Sequence, residues 1–140
     1  MGPEPVASSG VSTVTLVELP RMVQLWSYTV GHSQLLLRAT KDRDHATRVD
    51  VLFKGVGAMQ LPSVMSSLTV READLKEREV IFGTTSVEMP EERRCFVLEG
   101  PDFQGWVVAG AVVSVEDEGE YFEPSPLLDR LVGGSGGPDG

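Results

Sequence analysis

The sequence predicts a mainly β protein, an antiparallel β-sandwich or a partly open β-barrel of about seven to nine short strands, with one or two short helices. Two observations support this prediction. Runs rich in β-branched and aromatic residues, which favour strands, recur along the chain. Turn signals built from Gly, Pro and Asp separate these runs about every 8–12 residues, a spacing typical of sandwiches and barrels. A sheet with one covering helix is the alternative.

The first three predicted strands form the centre of the fold. Residues 23–30 are rich in β-branched and aromatic side chains, and residues 34–40 include a triple leucine that indicates burial on both faces. Between these runs, Gly31 supplies the positive φ of a tight hairpin turn. Residues 48–54 alternate, so we expect Phe53 and the other odd-numbered side chains to face the core and the even-numbered ones to face the other way.

Shorter strands are predicted on both sides of this centre. Residues 14–17 alternate weakly, and this edge strand ends at Pro20, which cannot donate a hydrogen bond to a sheet. Gly55 indicates a bend or bulge directly after the third central strand. Residues 58–61 and 68–71 then predict two further short strands.

The second half of the chain is less regular at its start. Residues 71–79 fit either one or two helical turns or an irregular loop: acidic residues precede basic ones by four positions, but few apolar residues would face a core. Residues 80–87, 95–99 and 106–116 predict strands. Gly110 indicates a bend or close packing within the last of these.

The length of 140 residues predicts one domain. We expect a disordered N-terminal segment at 1–12, a single β-rich domain at 13–132 and a flexible Gly-rich tail at 133–140. The two end segments consist largely of Gly, Pro, Ser and Ala, so they cannot bury enough apolar surface to offset the entropy lost on ordering. Before the tail, Ser125 followed by Pro126 predicts the start of a short helix.

We expect a set of apolar side chains to form much of the core, because they lie in the predicted strands. Large aromatic residues contribute strongly to this set, since each buries a large apolar area. The expected core residues are Trp26, Leu36, Val51, Phe53, Phe82, Phe96, Trp106, Val108 and Val112.

The net charge of −9 is unevenly distributed. Residues 1–71 hold seven Lys and Arg against five Asp and Glu, whereas residues 72–140 hold five against sixteen. An acidic half repels phosphate backbones, so we expect no nucleic-acid partner. Acidic surface steers basic molecules toward a protein, so the expected partner is a basic protein or a second copy of this chain.

Membrane and secretory signals are absent from the sequence. No run of about 18 apolar residues is present, which predicts no membrane-spanning helix and no membrane partner. The first ten residues, MGPEPVASSG, lack the basic start and apolar run of a signal peptide, so we expect a cytoplasmic protein. The single cysteine, Cys95, cannot form an internal disulfide. It follows two arginines that could lower its pKa, but a strand cysteine is more often a buried small hydrophobe.

Two groups of polar residues were weighed as sites of chemistry. His32 precedes Ser33 in the predicted hairpin turn, but no nucleophile motif surrounds this pair, so a hydrolase using His32 is the weakest hypothesis. Asp42, Asp44 and His45 precede Asp50, a spacing that partly matches a calcium loop without its Gly and closing Glu. We therefore predict no catalytic residues, no metal site and no cofactor.

Aromatic residues near turns and charges are the candidate ligand or partner-binding residues, together with His32. Phe103 and Trp106 flank a Gly-containing turn, and Tyr121 and Phe122 lie among five acidic residues between 116 and 123. Either pair could form the centre of an interface with a polar rim. The alternative is that both pairs cap the ends of the sandwich or barrel.

Three function hypotheses follow from these patterns. The first is a non-enzymatic protein-binding or partner-regulating module, favoured by small size, an acidic half and the lack of a catalytic set. The second is a small β-barrel that binds a small apolar ligand in its mouth. The third is the hydrolase. An apolar cavity of several hundred Å³ with a few polar groups would favour the second hypothesis.

Overall fold

The computed structural model describes residues 15–85, 93–120, 124–125 and 127. Within these ranges, two five-stranded antiparallel sheets pack face to face, and one α-helix covers part of one sheet. The described strands form no closed barrel, so the sandwich is confirmed. None of the described helices is long and apolar enough to cross a membrane.

Ten strands and one helix make up the described fold. The strands are β1 (Thr15–Leu19), β2 (Val23–Thr29), β3 (Gln34–Ala39), β4 (Arg48–Lys54), β5 (Ala58–Gln60), β6 (Val64–Met65), β7 (Leu68–Glu72), β8 (Arg94–Gly100), β9 (Phe103–Ala109) and β10 (Ala111–Asp117), and the helix is α1 (Leu75–Thr84). β6 has only two residues, which is too short to leave a periodic pattern. The count exceeds the predicted seven to nine because β6 was not predicted and because the predicted run 106–116 forms two strands, β9 and β10.

The strands divide into sheet A, in the order β1-β7-β8-β9-β5, and sheet B, in the order β10-β4-β3-β2-β6. The chain changes sheet between β9 and β10, at Gly110, whose backbone N–H donates to the carbonyl of Lys54 at 2.8 Å. The predicted bend at Gly110 is confirmed, and it splits the run 106–116 between the two sheets. Gly55, with φ of 67°, forms the predicted bend after β4.

The hairpin between β2 and β3 turns differently from the prediction. Val30–His32 forms a single 3-10 turn, and Ser33 takes the left-handed conformation with φ of 52°. The prediction that Gly31 supplies the positive φ is therefore wrong. The Ser33 N–H donates to the carbonyl of Val30 at 3.2 Å, and Thr29 pairs with Gln34, so the loop has four residues rather than two.

The main core lies between the sheets. The rings of Phe53 in sheet B and Phe96 in sheet A meet edge to face, with centroids 5.5 Å apart. Both side chains are fully buried. Six of the nine predicted core residues are buried, namely Leu36, Val51, Phe53, Phe82, Phe96 and Val108. The other three, Trp26, Trp106 and Val112, are half-buried because they lie at the margins of the apolar clusters.

Helix α1 replaces the strand predicted at 80–87, and that prediction is wrong for 80–84. The Asp74 side chain accepts from the Glu77 N–H, and the Glu77 side chain accepts from the Asp74 N–H, which forms a complete capping box. This cap starts the helix just after β7, and burial of Ile81 and Phe82 on sheet A holds its second half. Packing on the sheet thus outweighs the strand propensity of Val80, Ile81 and Phe82. Residues 86–87 lie outside the described ranges.

The even-numbered side chains of β4 face away from the main core, as predicted, but Arg48, Asp50 and Leu52 are not exposed to solvent there. Arg48, Asp50 and Leu52 are at most 2% exposed on the outer face of sheet B. The chain beyond β10 covers this face, where Leu127 packs on Leu52. Both sheets therefore bury part of each face. The predicted end segments 1–12 and 133–140, and most of the predicted tail helix, lie outside the described residues.

Candidate functional site

An apolar groove lies between α1 and the outer face of sheet A. Its volume is about 320 Å³, at the lower end of the range of small-molecule sites. We call it the α1 groove. It is lined by Gln60, Lys76, Glu77, Val80, Ile81, Thr84, Val97, Gln104, Gly105 and Trp106.

Strands β8 and β9 supply the sheet side of the α1 groove. Successive side chains of a strand point to opposite faces. On β8, Cys95 and Val97 therefore pack toward α1, whereas Phe96 packs into the main core. On β9, Trp106 and Val108 pack in the same cluster as Ile81 and Phe82 of the helix. Apolar side chains from both the helix and the sheet thus enclose the groove.

Gly105 allows β5 to approach β9 closely beside the groove. A Cβ atom at Gly105 would overlap the carbonyl oxygen of Gln60 and the side chain of Leu61. β9 pairs with β5 at Trp106 and Gln60, so Gly105 lies next to this pairing. A glycine is needed here because any side chain would prevent this close approach of the two strands. The approach in turn holds Gln60 at the rim of the groove.

An ion-pair network fixes the N-terminal half of α1 over the sheet. The Arg71 guanidinium donates to both carboxylate oxygens of Glu77 at 2.7 and 2.8 Å, and to Glu99 at 3.2 and 3.4 Å. The Arg71 hydrogen bonds lower the pKa of Glu77 and of Glu99, although burial opposes both shifts. Gln104 also donates to Glu99, at 2.6 Å. These carboxylates are therefore ionised and engaged at neutral pH.

The charged group of Lys76 is not engaged by described residues in the way that the carboxylate of its neighbour Glu77 is. Its side chain is exposed at the rim of the α1 groove. Within the described ranges, no hydrogen bond or ion pair engages its ammonium group. The groove thus combines apolar walls with an ammonium group at its edge.

Phe103 and Trp106 do not form one patch. They belong to the same strand, β9, and lie on opposite faces because their positions differ by three. Phe103 packs against the main core between the sheets, whereas Trp106 lines the α1 groove. Of these two predicted site residues, the structure brings only Trp106 to the groove.

His32 is exposed in the 3-10 turn between β2 and β3, away from the residues that line the groove. In the described part of the chain, its ring takes part in no hydrogen bond or ion pair, so no general-base pairing supports a hydrolase. Tyr121 and Phe122, the other predicted site residues, lie outside the described residues. Binding by these three residues stays a prediction.

The loop between β3 and β4 pairs its own polar groups. Asp42 and His45 form an isolated β-bridge, and their side chains are 2.8 Å apart. The hydrogen bond with His45 lowers the pKa of Asp42. Asp50 lies elsewhere, on β4, where it pairs with Arg38. Across the residues that the structure describes, no three His, Cys, Asp or Glu side chains gather in a metal-binding arrangement.

Cys95 is a buried small hydrophobe beneath α1. Burial raises the pKa of its thiol to about 11, and the positive charge of Arg78 opposes this shift only in part. The alternative that the preceding arginines make Cys95 reactive is therefore wrong. Arg94 instead pairs with Glu72, 2.8 Å away across the sheet.

The outer face of sheet B is also covered, by the chain after β10, and ion pairs lie on this face. Arg38 donates to both oxygens of Asp50 at 2.8 and 3.2 Å. Arg48 donates to both oxygens of Asp117 at 3.1 Å and to the carbonyl oxygens of Glu120 and Pro124 at 2.8 and 3.3 Å. These bonds tie the chain after β10 onto the sheet.

Apolar packing completes the cover on sheet B. Leu127 packs with Leu36 and Leu52, and all three are at most 5% exposed. Trp26 lies at the edge of this cluster, where the Arg38 guanidinium stacks 4.8 Å from its ring centroid. We call the three buried residues the leucine cluster.

Sequence reasoning found Trp106 and missed the helical side of the groove. Lys76, Val80 and Ile81 come together only because α1 forms, and Val80 and Ile81 were predicted to lie in a strand. The capping box of Asp74 and Glu77 was the available signal for the helix.

Comparisons with protein-family models, curated proteins and solved structures found no significant match.

Proposed function

We propose that this protein is a non-enzymatic binding module whose site is the α1 groove, and that the groove holds a small, mainly apolar molecule. The observation that supports this proposal is a groove of about 320 Å³ with apolar walls and a few polar groups at its rim. Small-molecule sites commonly combine these features. The site lies beside a helix on a sandwich, rather than in the mouth of a barrel.

Burial of apolar ligand surface would supply most of the binding free energy. Transfer of apolar surface from water contributes about 25 cal/mol per Å². Trp106 is half-buried and Val80 is 63% exposed, so both retain apolar area that a ligand can cover. Ligand binding would thus remove exposed apolar surface from both α1 and sheet A.

A titration with 1-octanol, followed by two-dimensional ¹H–¹⁵N NMR, tests this function. We expect saturable shift changes at Ile81, Val97 and the Trp106 indole. Val80→Trp places a large ring in the groove and is expected to abolish these changes. Leu75→Trp is the matched control, because Leu75 is 79% exposed on the same helix and does not line the groove.

Two results would refute the proposed function. One is the absence of shift changes at the groove when the solution is saturated with 1-octanol. The other is an equal effect of the two Trp variants, which would show that shape at the groove does not matter.

Protein binding is the second candidate function, and the exposed apolar side chains of α1 favour it. Leu75 and Val80 are 79% and 63% exposed. Such side chains can anchor a partner, here a basic protein or a second copy of this chain. Self-association can be tested by sedimentation equilibrium of the wild type and of the variants Leu75→Ser and Val80→Ser. If a second copy binds, the wild type should have a mass above that of the monomer, and either Ser variant should lower this mass. A monomeric wild type leaves only the basic protein as partner.

The cytoplasmic location stays a prediction from the sequence. The same holds for the expected lack of a cofactor and of nucleic-acid or membrane partners.

A further inference from the structure

The two charged side chains at the α1 groove differ in the hydrogen bonds that they form. Two charged residues line it, Lys76 and Glu77. The carboxylate of Glu77 accepts two hydrogen bonds from Arg71, at 2.7 and 2.8 Å, and a third from the Asp74 N–H at 3.0 Å. A carboxylate held in this way offers little to a ligand, because both of its oxygens already accept charge-assisted hydrogen bonds from a guanidinium.

Of the remaining polar side chains that line the groove, Lys76 can only donate hydrogen bonds, whereas Gln60, Thr84 and Gln104 can donate or accept. Within the described ranges, the ammonium of Lys76 and the side-chain amide of Gln60 form no hydrogen bond, whereas the Gln104 amide donates to Glu99. Lys76 belongs to α1 and Gln60 to β5, so the donors come from two elements that line the same groove. The groove therefore presents the exposed ammonium of Lys76 and the Gln60 amide beside apolar walls, whereas the Glu77 carboxylate is already paired with Arg71.

We propose that the ligand of the α1 groove is a small apolar monocarboxylate, an aliphatic or aromatic chain that bears one carboxylate. This inference rests on the proposed function. The apolar chain lies against Val80, Ile81 and Trp106. The carboxylate pairs with the Lys76 ammonium, and the Gln60 amide can donate to its second oxygen. Charge-assisted hydrogen bonds of this kind are stronger than neutral ones.

The net charge of −9 opposes any anion at long range. At physiological ionic strength, fields between exposed charges are screened over about 8 Å. Direct pairing of an ammonium with a carboxylate acts well within that distance. Glu77 also lines the groove, but its carboxylate is already paired with Arg71, so direct pairing with Lys76 decides the preference.

The test compares three probes of equal chain length, octanoate, octanamide and 1-octanol, by NMR titration of the full chain. We expect octanoate to bind about three- to fivefold more tightly than octanamide, as an exposed ion pair allows. Lys76→Gln should remove this preference, so that octanoate no longer binds more tightly than octanamide. Lys54→Gln is the control, because it changes the net charge equally on β4, away from the groove.

The outcomes separate this inference from the proposed function. If 1-octanol and octanamide bind in the groove but octanoate binds no more tightly than octanamide, the inference of a monocarboxylate ligand is wrong and the proposed binding function stands. If Lys54→Gln removes the preference as fully as Lys76→Gln, net charge rather than Lys76 decides, and the inference fails. If no probe binds, both fail. If the chain is a dimer that Val80→Trp dissociates and Leu75→Trp does not, a second copy occupies the groove and the inference is overturned.

Discussion

The outer faces of the two sheets are both covered, but in different ways. On sheet B, the chain after β10 lies over a buried set of paired charges and the leucine cluster, with Asp50 and Arg48 at most 2% exposed. On sheet A, α1 packs through Ile81 and Phe82 and leaves a groove of about 320 Å³ beside Val80. The charges near that groove are only partly buried, as Arg71 and Glu77 are.

This difference separates a face covered by buried ion pairs and leucines from a face that leaves apolar side chains partly exposed. Buried charges on sheet B have partners at close range, and their loss would leave charges unpaired in a medium of low dielectric. The groove on sheet A retains apolar surface that is in contact with water, and a ligand could displace this water. The two faces should therefore respond differently to equivalent substitutions.

The largest effect is expected from Asp50→Ala. This change leaves Arg38 buried without its carboxylate partner and should lower the free energy of unfolding by about 3–5 kcal/mol. Urea denaturation measures it. The control is Glu72→Ala, which removes the partner of Arg94 from an ion pair that is about 40% exposed and should cost about 0–1 kcal/mol. Similar losses in the two variants would contradict the distinction between the faces.

Leu127→Ala comes next. This change leaves a cavity in the leucine cluster and should lower the free energy of unfolding by about 2–3 kcal/mol, because Leu127 is 5% exposed. Leu75→Ala on the exposed surface of α1 should change stability by less than about 0.5 kcal/mol. If Leu127→Ala proves as mild as Leu75→Ala in the same denaturation assay, the cover of sheet B contributes little to folding.

These two predictions depend on contacts that sequence patterns do not reveal. The strands β2, β3 and β4 were predictable because β-branched residues, a triple leucine and turn signals are local features. The burial of Arg48 was not, because its partner Asp117 lies 69 positions away. Alternation placed Arg48, Asp50 and Leu52 on the face opposite the main core, but it cannot show that a second layer covers that face.

The groove was predictable only in part for a related reason. Trp106 stood out by composition in a β-rich run. Val80 and Ile81 also favour strands by propensity, so the helix that places them at the groove was missed. A capping box and packing on β8 decide that segment, and the packing depends on tertiary structure.

Acid should weaken the attachment of α1 to sheet A. Hydrogen bonds from Arg71 hold the pKa of Glu77 and of Glu99 below the usual value of 4.5. A carboxyl with a lowered folded-state pKa contributes stability that is complete above its unfolded pKa and is lost as pH falls through the folded pKa. The melting temperature should therefore fall as pH drops below about 4.5. Glu77→Gln should reduce this slope, and an unchanged slope would show that other carboxyls dominate.

The smallest expected effect on stability is that of Val80→Trp. Val80 is exposed, so the new ring can occupy the groove without overpacking the core, and the free energy of unfolding should change by less than about 0.5 kcal/mol. The same variant should block ligand binding. A loss of several kcal/mol in denaturation would mean that the groove is closed packing rather than an open site.

The most direct test of the difference between the faces is to locate a bound ligand by NMR. Intermolecular nuclear Overhauser effects would be recorded between 1-octanol and the methyl groups of the ¹³C-labelled protein. We predict contacts to Ile81 and Val97 beside α1, and none to the leucine cluster on sheet B. Contacts to Leu36, Leu52 or Leu127 without contacts to Ile81 and Val97 would contradict the assignment of the α1 groove as the binding site.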